Sequence, residues 1–240
     1  MSFNFWRRYL DGIPEYLARH YWWAYLHPLG VRFFDHHFII NLILFGQYRT
    51  ILNEVMRRYA ATQGARTLQL TCAYGALTPT LAQADNTREL HLMDAAEIQL
   101  HAAQHKVKNI NRPICYVRSN AEALAYADNS FDTVIIFFLL HELPGEARQR
   151  VLGETLRVLK PKGTLLIAEY GENRGAHFLH RFQPMRWLLE KLEPFLHDFW
   201  HSDLEEQLRV LSRQHGKSLR ATAPTLLFCG FYRVMEYRAG

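Results

Sequence analysis

The residues able to do chemistry in this chain are few and sit at the ends of apolar runs. "FFLLHELP" sets His141 and Glu142 directly after an uncharged stretch. A histidine, with an ordinary pKa of about 6.5, can act as a general base. A carboxylate can be a base or a hard oxygen ligand for a metal. "LMDAAE" closes an alternating run with Asp94 and Ala95. A carboxylate there can accept both hydroxyls of a ribose, or it can cap the next helix. "RSNAEAL" offers Asn120 and Ala121. Their side-chain amide and backbone N–H suit an adenine edge, or they form a plain loop. "LQLTCAYG" runs into a turn whose one glycine is Gly75. "HDFWH" puts His197 and His201 at i, i+4 beside Asp198, a metal-type face without a complete ligand set. His36 and His37 suit a polar helix edge.

These stretches need a scaffold, and the patterning supplies one. From Arg66 onward, strand-like runs alternate with helical ones: "RTLQLTCAY", "ELHLMD", "ICYVRS", "FDTVIIFFLL" and "TLLIAEY" as strands, with helices between them. The helix in "LTPTLAQAD" is expected to start with Thr78 as N-cap and Pro79 in its first turn. This alternation predicts an α/β fold with a doubly wound, mostly parallel sheet. Its ligands belong at the carboxyl ends of the strands, where all four stretches would meet. Phe138, at the end of the fourth strand, falls on the same rim. The tail from Ser218 reads as a closing hairpin. Residues 1–60 read as helices broken at Pro28 and Gly30, a helical cap on a domain of residues 61–240.

Composition narrows the class. The 240 residues are 49% hydrophobic and 21% charged, so the chain is globular and not disordered. Three cysteines at irregular spacing argue against a disulfide framework. "MSFNFWRRYLDG" lacks an apolar core, so no signal peptide is expected, and "FIINLILFG" is too short to span a bilayer. The net charge of +5 suits an anionic partner. Arg7, Arg8, Arg19 and Arg32 are interleaved with Trp6, Tyr9, Tyr21, Trp22, Trp23 and Tyr25. That mixture suits a membrane interface, a nucleic-acid surface or the core of a cap.

The order of "LQLTCAYG", "LMDAAEIQL", "SNAEALAYADNSFDTVIIFFLLHEL" and "ETLRVLKPKGTLLIAEY" resembles the class I S-adenosylmethionine-dependent methyltransferases, especially those acting on ubiquinone and menaquinone. The resemblance implies a seven-stranded sheet with a reversed last strand. It also implies S-adenosylmethionine held by Gln69, Thr71, Cys72, Ala73, Tyr74, Gly75, Asp94, Ala95, Asn120, Ala121 and Phe138. A narrower resemblance, carried by "HYWWAYLHP", "FIINLILFGQYR", "LQLTCAYGALT" and "FFLLHELP", is to the methyltransferase-like proteins of rhodoquinone biosynthesis. It implies replacement of a ubiquinone methoxy group by an amine, with S-adenosylmethionine as amino donor and manganese in support. Tyr74, His141 and Glu142 are then the candidate catalytic residues. The implied partner is a prenylated quinone. Such a substrate lives in the bilayer, which favours membrane contact through the N-terminal helices over nucleic acid. A cytoplasmic enzyme peripheral to the inner membrane is expected.

The first turn departs from the methyltransferase pattern, which has an acid and three alternating glycines. Gln69 stands in place of the acid, and Thr71 and Ala73 in place of two glycines. Loss of the acid would lower the pKa of the cofactor's amine and leave it nucleophilic. The alternative is drift in a turn that binds the cofactor conventionally. Tyr74 is expected at the reacting end of the pocket or as an apolar lid, and Cys72 as a small buried residue. An ordinary methyltransferase and a non-catalytic S-adenosylmethionine-binding protein remain the rival readings.

Overall fold

The computed structural model describes residues 12–240 apart from 63–65, 73, 86–87 and 173–176. Trp6, Arg7, Arg8 and Tyr9 therefore lie outside the described residues, as does Ala73. Five parallel strands form the heart of the sheet: β1 (Arg66–Leu70), β2 (Glu89–Asp94), β3 (Ile114–Arg118), β4 (Phe131–Phe137) and β5 (Leu159–Tyr170). Their order is β3-β2-β1-β4-β5. The chain reverses direction across the sheet between β1 and β4, which is the switch point where an open α/β sheet leaves a crevice. β1 and β4 are buried on both faces, and the second half of β4, from Val134 to Phe137, accordingly reads as a continuous apolar run.

β8 (Tyr232–Ala239) lies antiparallel against β5. Its other side carries β6 (Leu219–Ala221) and β7 (Thr225–Leu227), which pair with different halves of β8. The sheet thus has seven positions across and eight strands, because the outer position is split in two. The expected reversed strand is β8, and the expected seven-strand count holds by position.

The N-terminal helices are α1 (Glu15–His20), a π-helical segment (Trp22–Leu26), α2 (Pro28–Phe34), α3 (His37–Ile43) and α4 (Tyr48–Ala60). α4 places Ile51, Leu52, Val55 and Tyr59 on one face, and they join the same hydrophobic core as the sheet. Further helices follow the strands: α5 (Leu77–Gln83), α6 (Glu97–Val107) and α7 (Gly145–Val158), then α8 (Phe178–Arg181), α9 (Gln183–Leu192), α10 (Leu196–His201) and α11 (Leu204–Gln214). α5 starts one residue before Thr78, so Thr78 is not its cap: its side chain turns inward and donates to Gln69 Oε1 at 3.0 Å.

Candidate active site

The strand ends deliver the expected rim, and two cavities open on it. The first is bordered by Thr71, Asp94, Ala95, Asn120, Ala121 and Phe138, with Glu142 at its far side. Asp94 closes this end of the sheet. Its Oδ2 accepts the Cys72 N–H at 2.9 Å and its Oδ1 accepts the Ala96 N–H at 2.8 Å. Burial pushes its pKa up to about 6 against the pull of these N–H groups. A carboxylate has about four acceptor positions, and with the Ala95 N–H also drawn to Asp94 a position remains for a ribose hydroxyl.

Gln69, Cys72 and Gly75 border neither cavity. The Gln69 amide is closed at both ends, donating to the Thr71 carbonyl at 3.0 Å and accepting from Thr78. Cys72 is buried, and burial pushes its thiol well above the ordinary range. It contributes a backbone N–H, as its reading as a small buried residue anticipates. Thr71 adopts φ +68, a left-handed conformation costly for a β-branched residue. It takes the backbone shape of a glycine without being one.

Gly75 is kept for a reason that lies in the cap. Its φ is +89, and a Cβ there would stand 2.3 Å from the Tyr48 hydroxyl. Its N–H donates to Asp35 Oδ1 at 2.9 Å, and the next N–H, of Ala76, donates to Tyr48 Oη at 2.5 Å. Asp35 is in turn paired with Lys106. Cap residues thus occupy amides of the glycine-type turn. Tyr74 joins the same seam: its ring stacks on Tyr25 at 5.2 Å, and its hydroxyl donates to the Ala24 carbonyl.

The second cavity lies between the cap and the ends of β4 and β5, bordered by Trp23, Tyr25, Ile43, Tyr74, His141, Glu142 and Glu193. A short 3-10 turn, Leu140–Glu142, carries the two predicted residues. His141 is buried, with Nδ1 2.9 Å from Glu169 Oε2. Burial alone would hold its pKa down, but the Glu169 carboxylate outweighs this and lifts it to about 9. The raised value favours the protonated ring, whereas the expected role of general base and a place on a metal both call for the neutral one. The Glu169 carboxylate also accepts the N–H groups of Leu140 at 2.7 Å and Tyr170 at 3.0 Å. Arg148, fully buried, grips the turn from beneath through the carbonyls of Leu140 and Leu143, each at 3.0 Å.

Ligand atoms of His141, Glu142 and Glu193 all lie within 4.8 Å of one another. Tyr25 donates to Glu142 at 2.5 Å and Tyr21 to Glu193 at 2.9 Å. Burial, followed by the Glu193 carboxylate, pushes the Glu142 carboxyl up to about 8. Burial also raises Glu193, against the pull of His141. Among the described residues, no lysine or arginine pairs with either glutamate. Two crowded carboxylates and one imidazole nitrogen suit a divalent first-row cation, with Glu169 fixing the histidine ring behind it. A similar trio, Glu89, His91 and Cys115, lies on β2 and β3. There the Arg66 guanidinium stands 3.3 Å from Glu89 and already supplies the positive charge. The "HDFWH" pair closes on itself: His201 Nδ1 donates to the His197 carbonyl at 2.7 Å, while Asp198 pairs with Arg148.

The fold and this rim define a protein of the class I S-adenosylmethionine-dependent methyltransferase superfamily. Solved structures agree in fold. The N-methyltransferase NodS of Bradyrhizobium japonicum WM9, in complex with S-adenosyl-L-homocysteine, superposes with TM-score 0.56 at 15% identity, covering 90% of this chain and 94% of that one. The PH0226 protein of Pyrococcus horikoshii OT3 gives 0.58 at 17% identity, covering 95% and 100%. Residues 34–206 match the ubiE/COQ5 methyltransferase family, and the chain belongs to that family. Ubiquinone/menaquinone biosynthesis C-methyltransferases UbiE are among its curated relatives. That of Erwinia tasmaniensis is 32% identical over 135 residues, 55% of this chain and 53% of that protein. That of Pseudoalteromonas translucida is 31% identical over the same share. The chain spans about half the length of the curated relatives it matches.

Proposed function

We propose that the protein is an S-adenosylmethionine-dependent transferase acting on a prenylated quinone, and that it replaces a ring methoxy group with an amino group. The observation that carries this reading is the His141–Glu142–Glu193 cluster facing the cavity beside the cofactor rim. Methyl transfer to an electron-rich ring needs a base and no cation. Displacement of methoxide by an amine needs the ring made electron-poor, through a polarised carbonyl. When bound, S-adenosylmethionine would supply the amine and a divalent cation such as manganese would polarise the carbonyl. Glu142 and Glu193, with the free nitrogen of His141, would hold that cation. With its other nitrogen on the cation, the His141 ring would be fixed through Nδ1–H by Glu169. As the ring C–N bond forms and the C–O bond breaks, the proton given up by the amine would leave with the methoxide as methanol, and cleavage of the cofactor's own C–N bond would then free the amino group. Gln69 would leave the amine without a carboxylate partner from β1, so that it is more readily neutral. Tyr74, tied to the cap backbone, would act as a lid over the reacting end. Asp94, Asn120 and Ala121 would hold the adenosine half.

A second reading, methylation of a quinone ring, is favoured by the relatives and by Glu142. Once ionised, a carboxylate with a pKa raised to about 8 is a stronger base than an ordinary one and could take the proton that ring methylation releases, an activity that should rise with pH toward 8. Product mass separates the two. Incubation with ubiquinone, S-adenosylmethionine and Mn(II) should yield a lighter product, as expected for amino in place of methoxy. A product heavier by one methyl overturns amination. Gln69→Glu should depress amination; unchanged amination overturns the role given to Gln69.

A further inference from the structure

The described surface carries an unusual load of exposed aromatic and aliphatic side chains, gathered on two stretches of chain. In the cap these include Trp22, Phe33, Phe38 and Leu42, with Phe38 66% exposed. On α8 and α9 and at the Phe182 junction between them they are Phe178, Phe182, Trp187, Leu188 and Leu192, with Trp187 62% exposed. Single exposed apolar residues are ordinary, but clustered ones mark an interaction face. α9 already buries Leu189 in the core, so Trp187 and Leu188 lie outside the packing the fold requires.

The second cavity joins the two stretches. Trp23 and Ile43 border it and are themselves exposed, so its mouth opens within the apolar cap surface. Glu193, which follows α9 directly, borders the same cavity and is bonded to Tyr21 of the cap. Charge selects the occupant. Over residues 178–192, Arg181, Arg186 and Lys191 face a single acid, Glu190. Lys191 Nζ sits 4.9 Å from the centre of the Trp187 ring, an apolar body with a cationic tip. Arg19 and Arg32 are exposed beside the cap aromatics. Tryptophans and aliphatic residues rimmed by basic side chains match an anionic bilayer interface.

We propose that the cap and α8–α9 form one face that docks on an anionic phospholipid bilayer, with the mouth of the second cavity turned toward the lipid. An apolar ligand then enters from the membrane without crossing water. This extends the docking element beyond the N-terminal helices to α9. The entry route rests on the proposed quinone substrate, whereas the docking face does not.

The test uses the full chain and vesicles of phosphatidylcholine with phosphatidylglycerol. Co-sedimentation should show binding that weakens with salt and with pure phosphatidylcholine. The double variant Trp187→Glu/Leu188→Glu should bind at least tenfold more weakly, as should Phe38→Glu/Leu42→Glu, with circular dichroism unchanged. Turnover of a short-tailed, water-soluble quinone should persist in both variants, while turnover of a long-tailed quinone in vesicles should fall at least tenfold. Undiminished vesicle binding by both variants overturns the proposal. So does absence of binding by the wild type together with concentration-dependent dimerisation that these substitutions abolish, which would assign the face to a second copy. Vesicle binding without turnover of any quinone leaves the docking face standing and overturns the substrate reading.

Discussion

The turn after β1 and the turn after β4 leave neighbouring strands in the same way, and they are used for opposite purposes. Each opens on a non-glycine residue in the left-handed region, Thr71 at φ +68 and Phe138 at φ +54. The first turn then carries no charge, and its amides are taken by Asp94, Asp35 and Tyr48. The second carries His141 and Glu142 and is gripped from below by Glu169 and Arg148. The first turn binds backbone and fastens the cap, while the second holds ionisable groups in a fixed place. The lost glycines and the charged cluster are therefore two separate departures at one rim.

The comparison can be broken most sharply at Glu169. Glu169→Gln should destabilise the fold by about 3–5 kcal/mol, because it leaves a buried imidazolium unpaired. Denaturant unfolding measures this, and a loss under about 1 kcal/mol would mean that the second turn is not held as described. Next comes the cation. Mn(II) should raise the melting temperature of the wild type, and Glu142→Gln/Glu193→Gln should abolish that rise. Glu89→Gln should leave it intact, since Arg66 already neutralises that cluster. In the first turn, Gly75→Ala should cost about 1–3 kcal/mol through its positive φ and the approach to Tyr48. Tyr48→Phe should not recover this, because the ring remains. Asp94 sharpens the contrast through pH. With its pKa raised to about 6, it is protonated below that value and loses its capacity to accept hydroxyls. S-adenosylmethionine affinity should therefore hold above pH 6 and fall about tenfold per unit below it, as titration calorimetry can follow. The smallest effect is expected at Thr71→Gly, a gain of at most about 1 kcal/mol from relief of strain, partly cancelled by chain entropy.

Much of the frame was legible from residue patterning. The alternating elements, the rim and Asp94 follow from period and position. The reversed strand followed from the resemblance. What pairwise distance alone reveals was not legible. Glu193 lies about fifty residues beyond Glu142 in sequence, and although Pro194 marks the end of the helix before it, nothing there says that the carboxyl turns toward Glu142. Tyr21 and Tyr25 fall in an aromatic and basic stretch open to membrane, nucleic-acid or cap-core readings, and none of these foresees that they donate to the two glutamates. Glu169 is legible in principle: a lone acid in the apolar strand "TLLIAEY" must find a buried partner. Gly75 reads as the remnant of a cofactor turn, whereas its steric reason is Tyr48, a cap tyrosine brought against it only by folding.

The split outer strand has a consequence for how copies of this chain meet. An unbroken edge presents a row of free N–H and C=O groups on which another chain can add a strand. Here β6 and β7 offer three residues each, and Pro224 between them has no N–H to give. That margin of the sheet cannot template a continuous ladder, and association through it is disfavoured however concentrated the protein becomes on a surface.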